Sequence, residues 1–154
     1  MIRRRKAALN AQQKWSRYAK GVPSILAGTS IAKAMLIPRA DEIIRLLGIG
    51  PGKSYVDIGC GTAAYARLLS TRANALPPIT VDLSQKSLPN MLAWPEKLPF
   101  AAGSFDCVTA LHLVRRFEDD VVEAFASEIA RILAPGGAAI VLEFGPVKSK
   151  KLNL

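Results

Sequence analysis

Cysteine occurs only twice, as Cys60 and Cys107, and that pair forms neither a metal-ligand set nor a redox motif by its spacing. No metal centre is therefore expected, and a reducing intracellular setting fits best. Histidine occurs once, at His112, which leaves imidazole chemistry a single place to act. No apolar run approaches the roughly 20 residues that a membrane-spanning helix requires. Positive charges follow Met1, but no continuous apolar segment follows them, which argues against a secretory signal. Internal repeats and low-complexity tracts are also lacking. Acid is missing altogether from residues 1–40.

That last absence organises the charge. The chain of 154 residues carries a net charge of +9, and residues 1–40 hold nine basic side chains. The remainder holds 12 basic and 12 acidic residues and is neutral. The whole excess thus sits on a leader. It is either a solvated N-terminus or an attachment to an anionic surface, phospholipid or nucleic acid. Trp15 and Tyr18 tilt the choice toward a membrane interface. The Arg-rich start also resembles a mitochondrial transit peptide, although Pro23 and Gly28 interrupt any long helix. Residues 1–37 are read as a basic, partly helical arm and residues 38–154 as one core domain. The expected location is cytoplasmic, at a membrane surface if the leader binds one, or the mitochondrial matrix in a eukaryote.

From Pro38 the pattern sharpens. "RADEIIRLLG" predicts a helix that stops at Gly48, and "GPG" at 50–52 predicts a turn. "SYVDIG" predicts a buried strand, and residues 62–72 a helix with Tyr65, Leu68 and Leu69 inward. "PPITVDLS" predicts a strand ending at Asp82, and a short third strand is placed at about 90–94. Residues 104–111 read as a fourth strand. "EDDVVEAFASEIARILA" reads as a helix with Val122, Phe125, Ile129, Ile132 and Leu133 inward and acids at its positive end. Pro135-Gly136-Gly137 stops it, and "AAIVLEFG" supplies a fifth strand. Continuous apolar strands alternating with helices predict an α/β fold: a Rossmann-like parallel sheet covered by helices on both faces. The strand carboxyl ends, and hence the ligand, then share one edge.

The turn after the first strand, Gly59-Cys60-Gly61-Thr62-Ala63-Ala64, brings backbone close to a ligand. It fits the dinucleotide pattern G-x-G-x-x-G/A, with Asp82 lying 21 residues past Gly61 as a ribose-binding acid. It also fits S-adenosylmethionine, which carries a sulfonium and an ammonium instead of a pyrophosphate. Charge separates the two. Asp57, two residues before Gly59, would repel a pyrophosphate and attract a cationic tail. Asp57 could otherwise cap the turn, and Asp82 could otherwise form a turn with Ser84.

The segments "YVDIGCGTAAYA", "VDLS", "EKLPFAAGSFDCV" and "EIARILAPGGAAIVLEF" stand in order and spacing like those of the class I S-adenosylmethionine-dependent methyltransferases. The chain most resembles the methyltransferase type 11 branch, which includes ubiquinone and menaquinone biosynthesis, from about Pro38 to Glu143. The resemblance implies that Asp57, Gly59, Cys60 (through its backbone) and Gly61 line the methionine end of the cofactor. Asp82 would hold the ribose, with Leu83 beside the adenine. Trp94 occupies a position where the family often has an acid, and would either stack on the base or fill core space.

His112, just past the fourth strand, is the candidate base for removing a proton from the acceptor; its alternative is a histidine that only satisfies hydrogen bonds. Arg115 and Arg116 could steer an acidic or phenolic acceptor, or stay solvated. No N/D-P-P-Y motif follows the fourth strand, which argues against amino methylation of DNA. RNA modification lacks an aromatic stacking platform, so nucleic acid is not the expected partner. The expected function is methyl transfer to a small or lipid-like acceptor of the quinone-precursor type. The family fold normally continues past the fifth strand, whereas eleven residues follow Glu143 here. The alternative is therefore a truncated cofactor-binding or partner-binding module. The exposed edge of the fifth strand would be covered by a homodimer, another protein or the N-terminal arm.

Overall fold

A computed structural model describes residues 36–85 and 89–143 of the chain. Nearly all of the basic arm, with Trp15 and Tyr18, lies outside the described residues, as does the tail beyond Glu143. A 3-10 turn at Ile37–Arg39 with Pro38 near its start leads into α1, Ala40–Leu47. Then follow β1 (Tyr55–Ile58), α2 (Ala64–Arg72), β2 (Ile79–Asp82) and β3 (Met91–Leu92). After them come β4 (Phe105–Leu111), a second 3-10 turn (Val114–Arg116), α3 (Asp119–Ile132) and β5 (Leu133–Leu142). Among the described residues, no helix is long and apolar enough to cross a membrane.

The five strands form one sheet in the order β3-β2-β1-β4-β5, and every pairing is parallel. β1 is buried at all four positions, which explains why it reads as an unbroken apolar run around one acid. Alternation in the sheet sorts the core into two layers. Tyr55, Cys107 and Leu111 face α1 and α2, joining Ile43, Leu47, Tyr65 and Leu69. Val56, Ile58, Val108 and Ala110 face α3, joining Phe125, Ile129 and Ile132. Helices on both faces are thus present as expected. β5 is less well covered: Ala139 and Val141 are exposed, while Ala138, Ile140 and Leu142 pack inward. On α1, Leu46 faces out at 54% exposure.

Element ends differ where local chemistry outweighs periodicity. α2 starts at Ala64 because Gly61 and Ala63 adopt left-handed backbone, with φ of 57° and 58°, and so keep the turn open. The largest difference is at β5, which begins at Leu133 rather than Ala138. Pro135-Gly136-Gly137 is a bulge inside the strand: Phe105 pairs with Leu133, and Cys107 already pairs with Ala138. Gly137 is required there. A Cβ would approach the carbonyl oxygens of Asp106, Ala134 and Phe105 to 2.9–3.0 Å.

Two polar clamps fix the loops that feed the sheet. Arg131 on α3 donates to the carbonyls of Phe100 (2.7 Å) and Leu98 (3.0 Å), and Glu128 accepts the Leu98 N–H at 2.7 Å. The "EKLPF" loop is thereby tied to α3. At the start of β1 and β4, Asp106 Oδ2 accepts the N–H and the hydroxyl of Ser54 at 2.9 and 2.8 Å, and Lys53 reaches Oδ1 at 3.1 Å. The Ser54 N–H, then its hydroxyl, then the Lys53 ammonium pull the Asp106 carboxyl down to about 2. The folded value lies below the unfolded value of about 3.9. The stabilisation is therefore complete above that unfolded value and is lost as pH falls toward 2. Asp106→Asn should abolish this share of the acid sensitivity. Urea midpoints of wild type and variant should differ more at pH 5 than at pH 2.5.

Candidate active site

Parallel order places the carboxyl ends of all five strands on one edge, and the strand order reverses direction between β1 and β4. A crevice at such a reversal is where ligands bind in open α/β sheets. The sequence-predicted residues gather there. Asp57 is in β1, Asp82 ends β2, Leu92 pairs with Asp82 two residues before Trp94, and His112 follows β4.

The glycine turn is held by β2. Gly59 and Cys60 both donate their N–H groups to the Val81 carbonyl, at 2.8 and 3.0 Å. Gly61 donates to Asp82 Oδ2 at 2.9 Å, and the other oxygen of Asp82 accepts the Ser84 N–H at 2.8 Å. Asp82 thus forms the turn with Ser84 and also organises the glycine loop. Each oxygen retains a lone pair for a vicinal diol. Gly59 has φ 70°, and a Cβ there would meet the Leu113 methyls at 2.9 Å. The Cys60 carbonyl accepts the Ala63 N–H at 2.9 Å, and its thiol is buried. With its N–H committed to Val81, Cys60 chiefly shapes the turn.

Asp57 is only 1% exposed. Its Oδ1 accepts the Thr109 hydroxyl of β4 at 2.6 Å, and the Thr109 oxygen lies 2.8 Å from the Tyr55 hydroxyl. Thr109 has one proton and gives it to the carboxylate, so Tyr55 donates to Thr109. Burial, and next the Asp57 charge, push the Tyr55 phenol well above its usual range, which keeps it a donor. Sequence reasoning missed Tyr55 and Thr109. The available signal was a hydroxyl residue inside the otherwise apolar stretch 107–111 of β4.

His112 is 7% exposed and has φ 59°, and its N–H donates to the Leu142 carbonyl of β5 at 2.7 Å. Its Nδ1 lies 4.0 Å from Glu143 Oε2, an acid that sequence reasoning quoted in a motif without giving it a role. The Arg115 N–H donates to Glu143 Oε1 at 3.2 Å, while Arg116 is exposed. Cys107 is core, as expected; it donates to the Leu47 carbonyl at 3.2 Å, and burial raises its thiol pKa. Leu83 and Trp94 are half-buried beyond the ends of β2 and β3, and the Trp94 carbonyl accepts the Lys97 N–H at 3.1 Å. Among the described residues, no group of three or more His, Cys, Asp or Glu side chains could hold a metal ion.

The donor set suits a cationic adenosine derivative. Two carboxylates flank the turn, and neither 55–66 nor 79–85 contains a basic residue. A pyrophosphate would find no counter-charge in these segments.

An open parallel sheet with a glycine turn between two acids defines a nucleoside-cofactor fold, and comparison with known proteins specifies which. The methyltransferase domain family matches residues 56–141, and the chain belongs to that family. It is 35% identical over 111 residues to demethylmenaquinone methyltransferase of Mycobacterium sp. (strain JLS), covering 67% of this chain and 46% of that protein. It is 31% identical over 117 residues to demethylspheroidene O-methyltransferase of Rhodobacter capsulatus, covering 68% of this chain and 28% of that protein. The chain thus spans less than half the length of these relatives. Among solved structures, PH0226 protein from Pyrococcus horikoshii OT3 superposes with a TM-score of 0.62 at 19% identity, over 71% of this chain and 56% of that one. At that identity the likeness shows the fold.

The buried Tyr55–Thr109–Asp57 row yields a direct test. Thr109→Val keeps the shape but removes the hydroxyl's bonds to Asp57 and Tyr55 in the core, and should destabilise the protein by about 1–3 kcal/mol. Urea unfolding measures it.

Proposed function

We propose that this chain binds S-adenosylmethionine and transfers its methyl group to a small, lipid-like hydroquinone. When bound, the cofactor supplies an electrophilic methyl on a sulfonium. The observation that carries the reading is the Asp82 carboxylate, which accepts the Gly61 N–H at 2.9 Å and so links a diol acceptor to the glycine turn. Asp57 lies beneath the same turn, where its charge favours a cationic tail. The acceptor class is supported by the relatives, which include demethylmenaquinone methyltransferase and demethylspheroidene O-methyltransferase.

His112 is the base in this reading. It stands at the ligand edge, one residue before the Leu113 side chain that lies against Gly59. Proximity to the methyl donor supplies much of the rate, and proton removal the rest. Trp94 and Leu83 flank the adenine. The basic arm brings the enzyme to an anionic membrane surface, where a lipid-like acceptor resides, and the protein works in the cytoplasm or on that surface.

Calorimetry should show binding of S-adenosylmethionine and S-adenosylhomocysteine. Asp82→Ala should weaken both by about tenfold or more, as expected for loss of a charge-assisted bond. No binding at millimolar cofactor would exclude the enzyme reading. Binding without transfer to any hydroquinone would favour the module reading instead. Full-length protein should also be retained by liposomes containing anionic lipid, and that retention should fall with added salt. Retention equal on neutral liposomes would remove the role of the arm in binding an anionic surface.

A further inference from the structure

Glu143 directly follows β5 at the ligand edge, yet its side chain is only 9% exposed. Acids are rarely buried unless something pairs with them. Among the described residues, no helix is capped by its side chain. Its Oε1 accepts the Arg115 N–H at 3.2 Å, whereas Oε2 is buried and accepts no hydrogen bond among the described residues. Two nitrogens face Oε2: Arg115 Nε at 3.9 Å and His112 Nδ1 at 4.0 Å.

The backbone of His112 is set for this meeting. Its φ of 59° is left-handed, a conformation that strains any residue with a Cβ. The bond from its N–H to the Leu142 carbonyl, 2.7 Å, fastens it to β5 one residue before Glu143. Its next neighbour, Leu113, lies against Gly59 of the cofactor turn. Strain, burial and a carboxylate therefore converge on the only imidazole in the chain. Glu143 also lies beyond residues 56–141, the stretch that matches the family.

We propose that Glu143 is the positioning residue for His112, holding the imidazole with Nδ1–H toward the carboxylate and Nε2 toward the acceptor. The inference rests on the methyl-transfer reading. Nε2 takes the proton of an acidic aromatic hydroxyl, and the electron pair left on the acceptor forms the new bond to the methyl carbon. The sulfur–methyl bond breaks, its pair stays on sulfur, and S-adenosylhomocysteine leaves. On a carbon acceptor the displaced ring proton then goes to solvent. Closing the 4.0 Å gap to a hydrogen bond needs a shift of about 1 Å, and such contacts commonly tighten only with substrate in place.

A single histidine makes the test direct, because the imidazole nitrogen-15 spectrum of the full chain reports one ring. At alkaline pH the wild type should be mainly the Nδ1–H tautomer. Glu143→Ala should shift it to the Nε2–H form, and Glu143→Asp should restore part of the original signal. With demethylated naphthohydroquinone as acceptor, kcat of Glu143→Ala should fall about tenfold to a hundredfold. Cofactor affinity by calorimetry should stay within about twofold. If the alanine variant does not fold, Glu143→Gln preserves the volume and should show the same kcat loss. An unchanged tautomer in the alanine variant, or an unchanged kcat in a folded variant, overturns the pairing and leaves methyl transfer standing. Failure of the wild type to bind cofactor removes methyl transfer instead, while the tautomer comparison, which needs no cofactor, still decides whether the pair forms.

Discussion

The bond from the Gly61 N–H to the Asp82 carboxylate joins two parts of the sequence that otherwise meet only through the sheet. The turn after β1 has to leave the strand, pass the end of β2 and enter α2 without covering its own backbone. Val81 and Asp82 make that possible. The Val81 carbonyl takes the first two N–H groups of the turn, and Asp82 takes a third. A turn satisfied in this way is rigid before any ligand arrives, so less ordering entropy is lost on binding. The same carboxylate therefore shapes the turn and, in the proposed reading, also accepts the ribose diol. Its two roles draw on different lone pairs of the same oxygens.

Asp57 solves a different problem. A charge that is 1% exposed is costly to bury, and the cost is tolerable only when donors surround it. β4 provides one through Thr109, which is in turn fixed by Tyr55 on the same strand as the acid. The row runs across the pair of strands where the sheet reverses direction, so the electrostatics and the topology of the crevice share residues. One acid lies beneath the glycine turn and another at its side. A cation is the natural complement to that arrangement, and the absence of basic residues in both segments removes the competing anion.

Much of this was legible in the sequence because it is local. The acid, glycines and small residues of 57–64 lie on one short stretch, and apolar runs with intervening helices imply a parallel sheet. What was not legible depends on neighbours that the chain does not announce. Thr109 gains its role only because β4 lies beside β1, and Glu143 only because His112 is fastened to the end of β5. The misplaced start of β5 has another cause. Pro135-Gly136-Gly137 is a strong stop signal by composition, but three carbonyls crowd Gly137 because the strand bulges there and continues. The same composition serves a turn or a bulge, and only the pairing partner distinguishes them.

β4 shows how a buried strand becomes a site. Along it, Cys107 and Leu111 face the α1 and α2 layer with Thr109 on the same side, while Val108 and Ala110 face α3. Regular alternation would carry the next residue onward into the sheet. At His112 the backbone instead turns left-handed, the N–H reaches β5, and Leu113 swings against Gly59. Backbone strain of this kind persists only where surrounding bonds over-determine it. Here those bonds come from β5, and the packing comes from β1. The strained residue is thus fastened to β5 through its own N–H, and its neighbour Leu113 is packed against the turn that follows β1, which fixes this backbone more firmly than a free loop could.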